Sequence, residues 1–571
     1  SFDGPQRQLT RTHHMPKRLD RYHFYEREFE NYESLRDWFE WEVPDRFNVT
    51  GGTVGRQAAE NPDEEAVIAL DPEDGETRYT YSELDDAVSD LAAVLVDSGV
   101  ERGDRVAVNA PQSAETIIAH LAVWKLGAVS VPLSIRFGPE SLAYRIGDCD
   151  VTAAVVGREQ IADFTAAITS EEVSSVETLL TIDRTPTDFD AAETTEFWTA
   201  LERATGNVET APTSSDDDAM ILYTSGTTGD PKGVRHAHRF LLGHLPTAVT
   251  GFFNMDPLDR ERLYTPVEWA WVGPLWAFVL PAFFYGKTAI ADPARFDPQR
   301  TLELVDRYNV TRMLGPATVW RRLGEVDDVE QFDTASVETI MSAGESMGAE
   351  ELSWVKTAFA GAAVHEGYGQ TEAMNLVMDC SALFEKHPAK MGKATPGTAV
   401  RIVDPDTGEP TVPTGEVGEI AVEYDGGHPL CFKEYWNKPE KTAGKVTDGW
   451  LLTEDLGFVD EDGYFEFVSR KDEVIICSGY RVSPEEVQEA LLSHDAVANV
   501  GVVGVPDESR GEIPKAFVVL EDGLEPSGEL TTELQSMVKD ELAAYEYPRE
   551  IEYRPDLPTT GSGKVARSEL E

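Results

Sequence analysis

Along the first 400 residues, short apolar runs alternate with segments in which apolar residues recur three or four positions apart. In segment 82–95 the apolar residues Leu84, Val88, Leu91 and Leu95 follow this helical spacing, with Ser82 as a possible N-cap. The pattern continues as a strand over 105–108, a helix over 114–126 and a strand over 128–132. Such strand–helix alternation predicts parallel sheets covered by helices on both faces.

The pattern changes after about residue 397. Short alternating strands, such as 400–403 and 418–422, are separated by Asp, Gly and Pro turns, which predicts a small antiparallel or barrel-like sheet. After residue 470 the pattern becomes α+β, with helices over 484–492 and 532–542 and strands over 500–505 and 515–520. We therefore expect an α/β fold in four parts: an N-terminal arm, 1–48; α/β subdomains, 49–396; a distorted β-barrel, 397–470; and a small C-terminal α+β domain, 471–571.

The composition is strongly acidic. Lys and Arg total 49 against 104 Asp and Glu, which gives a formal net charge of −55. Such a surface repels itself at low salt, whereas molar salt shortens the screening length to about 3 Å. We therefore infer a salt-rich cytoplasm, as in halophilic organisms, with an acidic mesophilic protein as the alternative. Nucleic-acid binding is disfavoured, because no basic stripe is available to neutralise phosphates.

The remaining composition also favours an intracellular protein. The four cysteines are far apart and none forms a CxxC, so we expect reduced, mostly buried thiols. The longest apolar stretch, 269–284, contains a glycine and two prolines and is too short to span a bilayer. The first twenty residues lack the apolar core of a secretory signal.

The most informative motif is a glycine- and hydroxyl-rich segment, 223–233, that follows the apolar residues 220–222. Glycines let backbone N–H groups approach an anion closely, hydroxyl groups add donors, and Lys232 adds a charge. The spacing is not that of a Walker A loop. The segment predicts a phosphate-binding loop after a strand, with an ordinary Ser/Thr/Gly linker as the alternative. The loop residues are Thr224, Ser225, Gly226, Thr227, Thr228, Gly229 and Lys232.

This loop resembles the nucleotide-binding signature of the adenylate-forming superfamily, which includes acyl-CoA synthetases, luciferases and adenylation domains. A second segment, 366–372, resembles the family's next signature. The resemblance implies that Thr371 touches the α-phosphate region and that Glu372 helps to hold Mg²⁺, a cation that usually takes one or two protein carboxylates. The other members of this segment that it assigns to ATP are Glu366, Gly367, Tyr368, Gly369 and Gln370.

Further matches continue to the C-terminus. By resemblance, Asp455 accepts hydrogen bonds from both ribose hydroxyls, Arg470 contacts ribose and phosphate, Arg481 reaches a phosphate, and Asp472 is the hinge of a mobile C-terminal domain. Lys564, in segment 558–564, matches the catalytic lysine of the first half-reaction. Two usual glycines are replaced, by Glu454 and Ser469, and a side chain at 454 would be expected to shift the turn before Asp455.

Segments 450–452, 511–519 and 547–551 look closest to medium-chain acyl-CoA synthetases. That resemblance implies contacts to coenzyme A from Ser478, Gly479, Tyr480, Arg510, Lys539 and Arg136. Acetate-specific relatives have Trp where this chain has Gly369, so we expect an open acyl pocket for a longer or aromatic acid. Trp269, Trp271 and Gly344 are candidate walls, although such aromatic residues are equally typical of a plain core.

The sequence therefore predicts an ATP-, Mg²⁺- and coenzyme A-dependent acyl-CoA synthetase in the cytoplasm, with neither nucleic acid nor a transmembrane segment. Three alternatives stay open: another adenylate-forming enzyme, such as a carrier-protein ligase or a luciferase-like oxidase; an ADP-forming phosphotransferase; and an acidic nucleotide-binding scaffold. The preferred acid and the oligomeric state are not encoded in any motif that we recognise.

Overall fold

The computed structural model describes residues 18–571, apart from 72–74, 171–172, 183–190, 205–207, 225–229, 258–259, 345–346, 406, 410–411, 472, 478–479, 508–509, 522, 543–545, 560–564 and 571. At 349, 350, 476, 480, 481, 511, 540, 541 and 568 only the backbone is described.

The strands of these residues are, in chain order, β1 Glu65–Leu70, β2 Glu76–Thr80, β3 Arg105–Asn109, β4 Val129–Pro132, β5 Val151–Val156, β6 Thr178–Thr181, β7 Glu193–Glu196, β8 Asp218–Thr224, β9 Lys232–Ala237, β10 Arg262–Tyr264, β11 Thr288–Ala291, β12 Arg312–Gly315, β13 Thr339–Ala343, β14 Ala363–Gln370, β15 Ala373–Met378, β16 Lys393–Ala394, β17 Val400–Val403, β18 Gly418–Glu423, β19 Glu434–Tyr435, β20 Val446–Thr447, β21 Trp450–Val459, β22 Phe465–Arg470, β23 Ile475–Cys477, β24 Tyr480–Val482, β25 Val497–Asp507, β26 Gly511–Leu520 and β27 Glu550–Tyr553.

The α-helices are α1 Tyr32–Trp38, α2 Val49–Gly52, α3 Val54–Glu60, α4 Tyr81–Asp97, α5 Ala114–Leu126, α6 Pro139–Asp148, α7 Ile161–Ile168, α8 Phe197–Arg203, α9 Phe240–Thr247, α10 Leu280–Phe284, α11 Pro298–Tyr308, α12 Ala317–Gly324, α13 Ala349–Ala358, α14 Pro439–Gly444, α15 Pro484–Leu492 and α16 Gly528–Glu541. Short 3₁₀ turns lie at Asp20–Glu26, Val329–Gln331 and Arg567–Glu569, and π-helical turns at Ala248–Phe252 and Gly273–Val279.

Two large sheets form the N-terminal part, as predicted. One has the strand order β19-β9-β8-β4-β3-β5-β6-β7 and the other β16-β15-β14-β13-β12-β10-β11-β1-β2. Their central strands are parallel. Antiparallel pairs close the β19, β16 and β2 edges, whereas β7 at the remaining edge pairs parallel with β6. Because β19 pairs with β9, a piece of segment 397–470 belongs to the first large sheet rather than to the barrel-like region.

The two smaller sheets also follow the prediction. Strands β17, β18, β21, β20 and β22 form an antiparallel half-barrel, and β24, β23, β26, β25 and β27 form the C-terminal sheet beside α15 and α16. The predicted α/β fold with a small C-terminal α+β domain is therefore confirmed. All four cysteines are buried and free.

Local expectations were wrong in several details. Helix α4 has the predicted buried face, but its N-cap is Thr80, not Ser82, because Thr80 and Glu83 form a reciprocal capping box. Helix α16 begins at Gly528, four residues before the predicted start, because Ser527 caps its N-terminus. In the described part of the predicted N-terminal arm, Tyr22 and Phe24 are fully buried in the main core. Among the described residues, no helix is both long and apolar enough to cross a membrane.

Candidate active site

The second signature forms the centre of the site as a β-hairpin. Strands β14 and β15 pair antiparallel, and Thr371 and Glu372 lie in the connection between them. At Gly369 a Cβ atom would lie 2.3 Å from the backbone nitrogen of Asn375. The hairpin itself therefore requires this glycine, a different role from the open pocket wall that we predicted.

Asp455 lies on β21 with its side chain almost fully buried. Its Oδ2 accepts hydrogen bonds from the Tyr368 hydroxyl, 2.7 Å, and from Gln370 Nε2, 3.3 Å. Its Oδ1 lies 3.0 Å from Arg470 Nε, because residues 455 and 470 face each other across β21 and β22. We call these four side chains the Asp455 cluster. Burial and the Asp455 charge raise the Tyr368 pKa well above its usual range, so its hydroxyl stays a donor.

The backbone turn before Asp455 keeps the form that glycine would favour. Glu454 has φ +61°, in the left-handed region. Its carboxylate is 2.7 Å from the buried Lys445 Nζ, and its backbone N–H donates to Glu419. Glu454 therefore adopts the strained left-handed backbone without being a glycine, and Lys445 holds its side chain. The second replaced glycine, Ser469, is fully buried on β22.

The phosphate loop connects β8 to β9. Thr224 is the last residue of β8 and Lys232 the first of β9, and the two are paired in register. Residues Ser225, Gly226, Thr227, Thr228 and Gly229 lie outside the described residues. The predicted strand delivering the loop is confirmed. Just before this strand, Asp216 and Asp217 form ion pairs with Arg239 and Arg102, and Asp218 begins β8.

Tyr435, which we did not predict as a site residue, contacts both Glu372 and Lys232, two residues that we predicted at the phosphates. Its hydroxyl is 2.5 Å from Glu372 Oε1, and its ring centroid is 4.9 Å from Lys232 Nζ. Strand β19 brings Tyr435 there by pairing with β9. We call these three residues the Glu372 cluster. A tyrosine in a Lys-rich stretch directly upstream of the half-barrel's central strand was the available sequence signal.

Desolvation lowers the Lys232 pKa, and the nearby Glu372 partly offsets that effect. Burial, together with Glu372, raises the Tyr435 pKa far above its usual range. Tyr435 therefore remains a neutral hydrogen-bond donor beside the carboxylate. Glu372 and Lys232 thus each contact Tyr435, and these two described residues form no direct ion pair with each other.

Glu366 takes part in a third group of charges. Its Oε2 is 2.7 Å from Lys386 Nζ, which also lies 2.6 Å from the fully buried Asp379. Its Oε1 accepts the backbone N–H of Met347, near the end of β13. Glu366 is thus fixed at the base of the hairpin by Lys386.

The predicted coenzyme A residues are brought together in part. Cys477 pairs with Tyr480 and with Gly511, so the end of β23 and β24 lies beside Arg510. The described residues do not include Ser478 and Gly479. The side chains of Tyr480 and Arg481 are also outside the described part of the chain. Lys539 is exposed on α16 and its Nζ is 5.9 Å from the Tyr547 ring.

Arg136, a predicted coenzyme A contact, lies next to the candidate acyl residue Trp271. Its Nε is 3.1 Å from Glu268 Oε1, and the following Phe137 contacts the Trp271 ring at 6.4 Å. Trp269 is fully buried, Trp271 is half-buried, and a π-helical turn follows them, a feature common near functional sites. Gly344 ends β13 with φ +91°.

The segment with Lys564 lies between two paired residues, Thr559 and Val565. Lys564 and Asp472, the predicted hinge, are outside the described residues. Arg567 lies near both in the sequence or the fold: its guanidinium contacts Glu473, the residue after Asp472, and is 2.5 Å from Glu485 on α15. The C-terminal segment is therefore tied to the start of the C-terminal domain.

The chain matches two family models, the AMP-binding enzyme over residues 54–436 and the AMP-binding enzyme C-terminal domain over 486–564. It is 36% identical over 508 residues to an uncharacterized acyl–CoA ligase, YtcI, of Bacillus subtilis, covering 88% of this chain and 92% of that protein. It is 30% identical over 558 residues to the mitochondrial acyl-coenzyme A synthetase ACSM3 of Mus musculus, covering 95% and 93%.

A solved structure, the anthranilate CoA ligase AuaEII in complex with anthranoyl-AMP, superposes with a TM-score of 0.83 at 25% identity. The match covers 92% of this chain and 97% of that one. The hairpin, the half-barrel and the C-terminal domain thus lie within a known architecture. The chain belongs to the AMP-binding enzyme family of the adenylate-forming superfamily, near the medium-chain acyl-CoA synthetases.

Proposed function

We propose that this protein is an AMP-forming acyl-CoA synthetase that activates a carboxylic acid as an acyl-adenylate and transfers the acyl group to coenzyme A. The observation that carries the proposal is that one hairpin, β14–β15, contributes to both the Asp455 cluster and the Glu372 cluster. Gln370 belongs to the first cluster and Glu372 to the second, two residues apart on the same hairpin. That spacing suits a nucleoside bound at one end and its phosphates at the other.

In the first step a substrate carboxylate oxygen bonds to the α-phosphorus of ATP, and the bond to the bridging oxygen breaks to release pyrophosphate. Catalysis of this kind depends on positioning and charge stabilisation, and alignment alone contributes about 7–11 kcal/mol. Lys232 and the phosphate loop would hold the β- and γ-phosphates, Thr371 would approach the α-phosphate, and Lys564 would face the attacking carboxylate.

In the second step the coenzyme A thiolate attacks the acyl carbonyl carbon, and AMP leaves with the bridging oxygen. The thiol proton passes to solvent. Arg510 and the 478–480 end of β23 and β24 would guide the thiol once the C-terminal domain has rotated about Asp472. The tie from Arg567 to Glu473 means that Lys564 would move with the hinge.

Glu372 fits a magnesium ion. It is 7% exposed, and Tyr435 occupies only one of its oxygen atoms. No group of three or more His, Cys, Asp or Glu side chains in the described part of the chain is arranged to hold a metal. Mg²⁺ would therefore be held by Glu372 with phosphate and water oxygens, and would neutralise charge on the phosphates.

The acid is proposed to be a medium-chain fatty or aromatic acid, by similarity to the relatives and because the aromatic pair Trp269 and Trp271 lies beside the site. A panel of C2 to C12 acids and benzoate, scored by AMP formation in molar KCl with and without coenzyme A, tests this. We expect coenzyme A-dependent turnover with AMP as the nucleotide product. ADP would indicate a phosphotransferase, and acid-dependent pyrophosphate release unaffected by coenzyme A would indicate another adenylate-forming enzyme.

The two half-reactions are separable in the proposed scheme. Lys564→Ala should abolish adenylate formation, since it removes the charge at the attacking carboxylate, yet retain most thioester formation from supplied acyl-AMP. Arg510→Gln should show the opposite pattern. Equal loss of both steps in each variant would contradict a C-terminal domain that presents two faces in turn.

We further propose that the enzyme works in a salt-rich cytoplasm, because its net charge of −55 is spread over only 571 residues. Dilution from molar to tenth-molar KCl lengthens the screening length from about 3 to about 10 Å, so self-repulsion should lower the unfolding temperature markedly. Thermal unfolding measured in molar and in tenth-molar KCl checks this. An unfolding temperature that does not change with salt would contradict it.

A further inference from the structure

A basic cleft lies on the N-terminal part, and none of its lining residues belongs to the candidate active site. It is formed by the 3₁₀ turn Asp20–Glu26, helix α3 and the end of α10, and it encloses about 450 Å³. Three arginines line it, Arg18, Arg56 and Arg260, together with the two acidic residues Glu60 and Glu64. Arginines outnumber acidic residues in this lining, in a chain with more than twice as many acidic as basic residues. Arg18 also pairs with Glu26 and Asp20 of the 3₁₀ turn, which leaves Arg260 as the arginine of the lining without an ion pair among the described residues.

The arginines are placed at different depths. Arg18 and Arg260 are exposed at the rim, whereas the Arg56 side chain is only 11% exposed and its guanidinium stacks on the Phe284 ring at 4.6 Å. Arg56 is fixed by the backbone carbonyl groups of Gly52 and Phe284. Arg260 forms no ion pair with the described residues, and Glu60 lies 3.6 Å from Arg56.

The floor is polar and rigid. Gln57, 4% exposed, donates to the Phe284 carbonyl and accepts from Asn61. Gly286, at φ +68°, leaves the space in which a Cβ atom would come within 2.9 Å of Gln57 Oε1. A larger residue at 286 would therefore press on the floor.

His23 supplies a second, independent sign of a ligand. It is 9% exposed and packs against the rings of Phe284 and Tyr285, with Nδ1 3.1 Å from the Tyr25 hydroxyl. Its Nε2 is buried and has no hydrogen-bond partner among the described residues. Buried polar atoms without a partner are uncommon, and each calls for an explanation such as a missing ion or molecule.

We propose that this cleft binds a small phosphate-bearing anion, with Arg56 and Arg260 as the main cationic contacts, Arg18 at the rim and His23 at the floor. Guanidinium groups hold phosphoryl oxygens through paired, charge-assisted hydrogen bonds, and Arg56 is already positioned so that little side-chain entropy is lost on binding. The site is independent of the proposed reaction. Inorganic phosphate, pyrophosphate and a nucleoside monophosphate share the recognised chemistry and differ in size.

Hydrogen–deuterium exchange on the full chain locates binding without relying on activity. Inorganic phosphate, pyrophosphate and AMP would each be titrated, with succinate as a dicarboxylate comparison, while amide exchange is followed in peptides covering 18–27, 54–64 and 284–287. We expect at least one phosphate compound to protect these peptides. The compound that protects at the lowest concentration shows which of the three phosphate compounds the cleft prefers. Protection by succinate alone would overturn the assignment of a phosphoryl ligand.

Variants separate this cleft from the active site. Arg18→Gln/Arg260→Gln should weaken the protection at least tenfold, whereas Arg158→Gln/Arg203→Gln, the same change at two exposed arginines elsewhere, should leave it within twofold. Because both altered side chains are exposed, the fold should survive, and an unchanged unfolding temperature would verify this. The proposal is overturned if no phosphate compound protects the cleft peptides, or if the double variant binds as the parent does.

Discussion

The two ends of the candidate active site handle charge in opposite ways. At the proposed ribose end Asp455 lies 3.0 Å from Arg470, and Tyr368 and Gln370 also contact it, so the carboxylate is neutralised within the protein. At the proposed phosphate end Glu372 and Lys232 each contact Tyr435 and form no ion pair with each other. A paired carboxylate is a positioned acceptor for neutral hydroxyl groups, whereas an unpaired carboxylate and a lysine with a lowered pKa are suited to a cation and an anion.

This difference predicts that charge removal is most damaging at the phosphate end. Glu372→Gln should lower kcat/KM for ATP on the order of 10²–10³-fold, comparable to the loss of one preorganised electrostatic group. The Mg²⁺ concentration for half-maximal rate should rise in parallel, because an amide is a poor ligand for that ion. Steady-state kinetics over a Mg²⁺ series measures both.

The matched control is Glu434→Gln, the same change at the neighbouring residue of Tyr435. Glu434 pairs with Arg235 at 3.0 Å and is 40% exposed, so its variant should keep near-parental kinetics. If Glu372→Gln retained the parental Mg²⁺ dependence, Glu372 would be a structural partner of Tyr435 and not a metal ligand.

At the ribose end the prediction concerns hydroxyl recognition. Asp455→Asn keeps the shape of the side chain but loses the charge that strengthens its hydrogen bonds, so KM for ATP should rise about tenfold, or about 1.4 kcal/mol. The parent should discriminate against 2′-deoxy-ATP, and the variant should lose most of that discrimination. A variant that still distinguishes the two nucleotides would place the ribose away from residue 455.

Much of this comparison was accessible from the sequence, and the exceptions have physical causes. Periodicity predicted large parallel sheets, and family resemblance assigned Asp455 and Arg470 to one ribose site; the structure pairs these two residues across β21 and β22. We did not predict Tyr435 because β19 has only two residues and pairs with the distant strand β9, not with the strands of its own segment. Neither so short a strand nor its distant partner produces a periodic signal.

The role of Gly369 was missed for a related reason. A glycine in a signature indicates that another group approaches the backbone closely, but the sequence does not identify that group. We assigned the space to a substrate, whereas the backbone of residues 373–375 fills it. Helix starts were displaced because a capping box at Thr80 and Glu83 outweighs a single polar residue two positions later.

Tyr435 allows the phosphate end to be dissected further. Tyr435→Phe removes the hydroxyl next to Glu372 but keeps the ring against Lys232, so the Mg²⁺ requirement should rise about fivefold, near 1 kcal/mol, with a smaller change in KM for ATP. Tyr435→Leu also removes the ring, so it should raise both the Mg²⁺ requirement and KM for ATP. Tyr424→Phe is the matched control, since its hydroxyl donates 2.7 Å to the Lys433 carbonyl in the same core cluster. If Tyr435→Phe changed the Mg²⁺ requirement and KM for ATP equally, separate roles for the hydroxyl and the ring would be contradicted.

The smallest expected effect lies at Glu454, beside the ribose end. Glu454→Gly relieves a left-handed backbone worth about 1 kcal/mol but leaves Lys445, only 6% exposed, without its carboxylate, so the two effects should nearly cancel. Glu454→Gln keeps the strain and also loses the charge, so it should unfold at a lower temperature than Glu454→Gly in thermal scans at molar salt. KM for ATP should stay within twofold in both variants, because the parent already has the glycine-like turn. A severalfold fall in KM for ATP in Glu454→Gly alone would instead mean that the glutamate displaces Asp455 from its best position for the ribose.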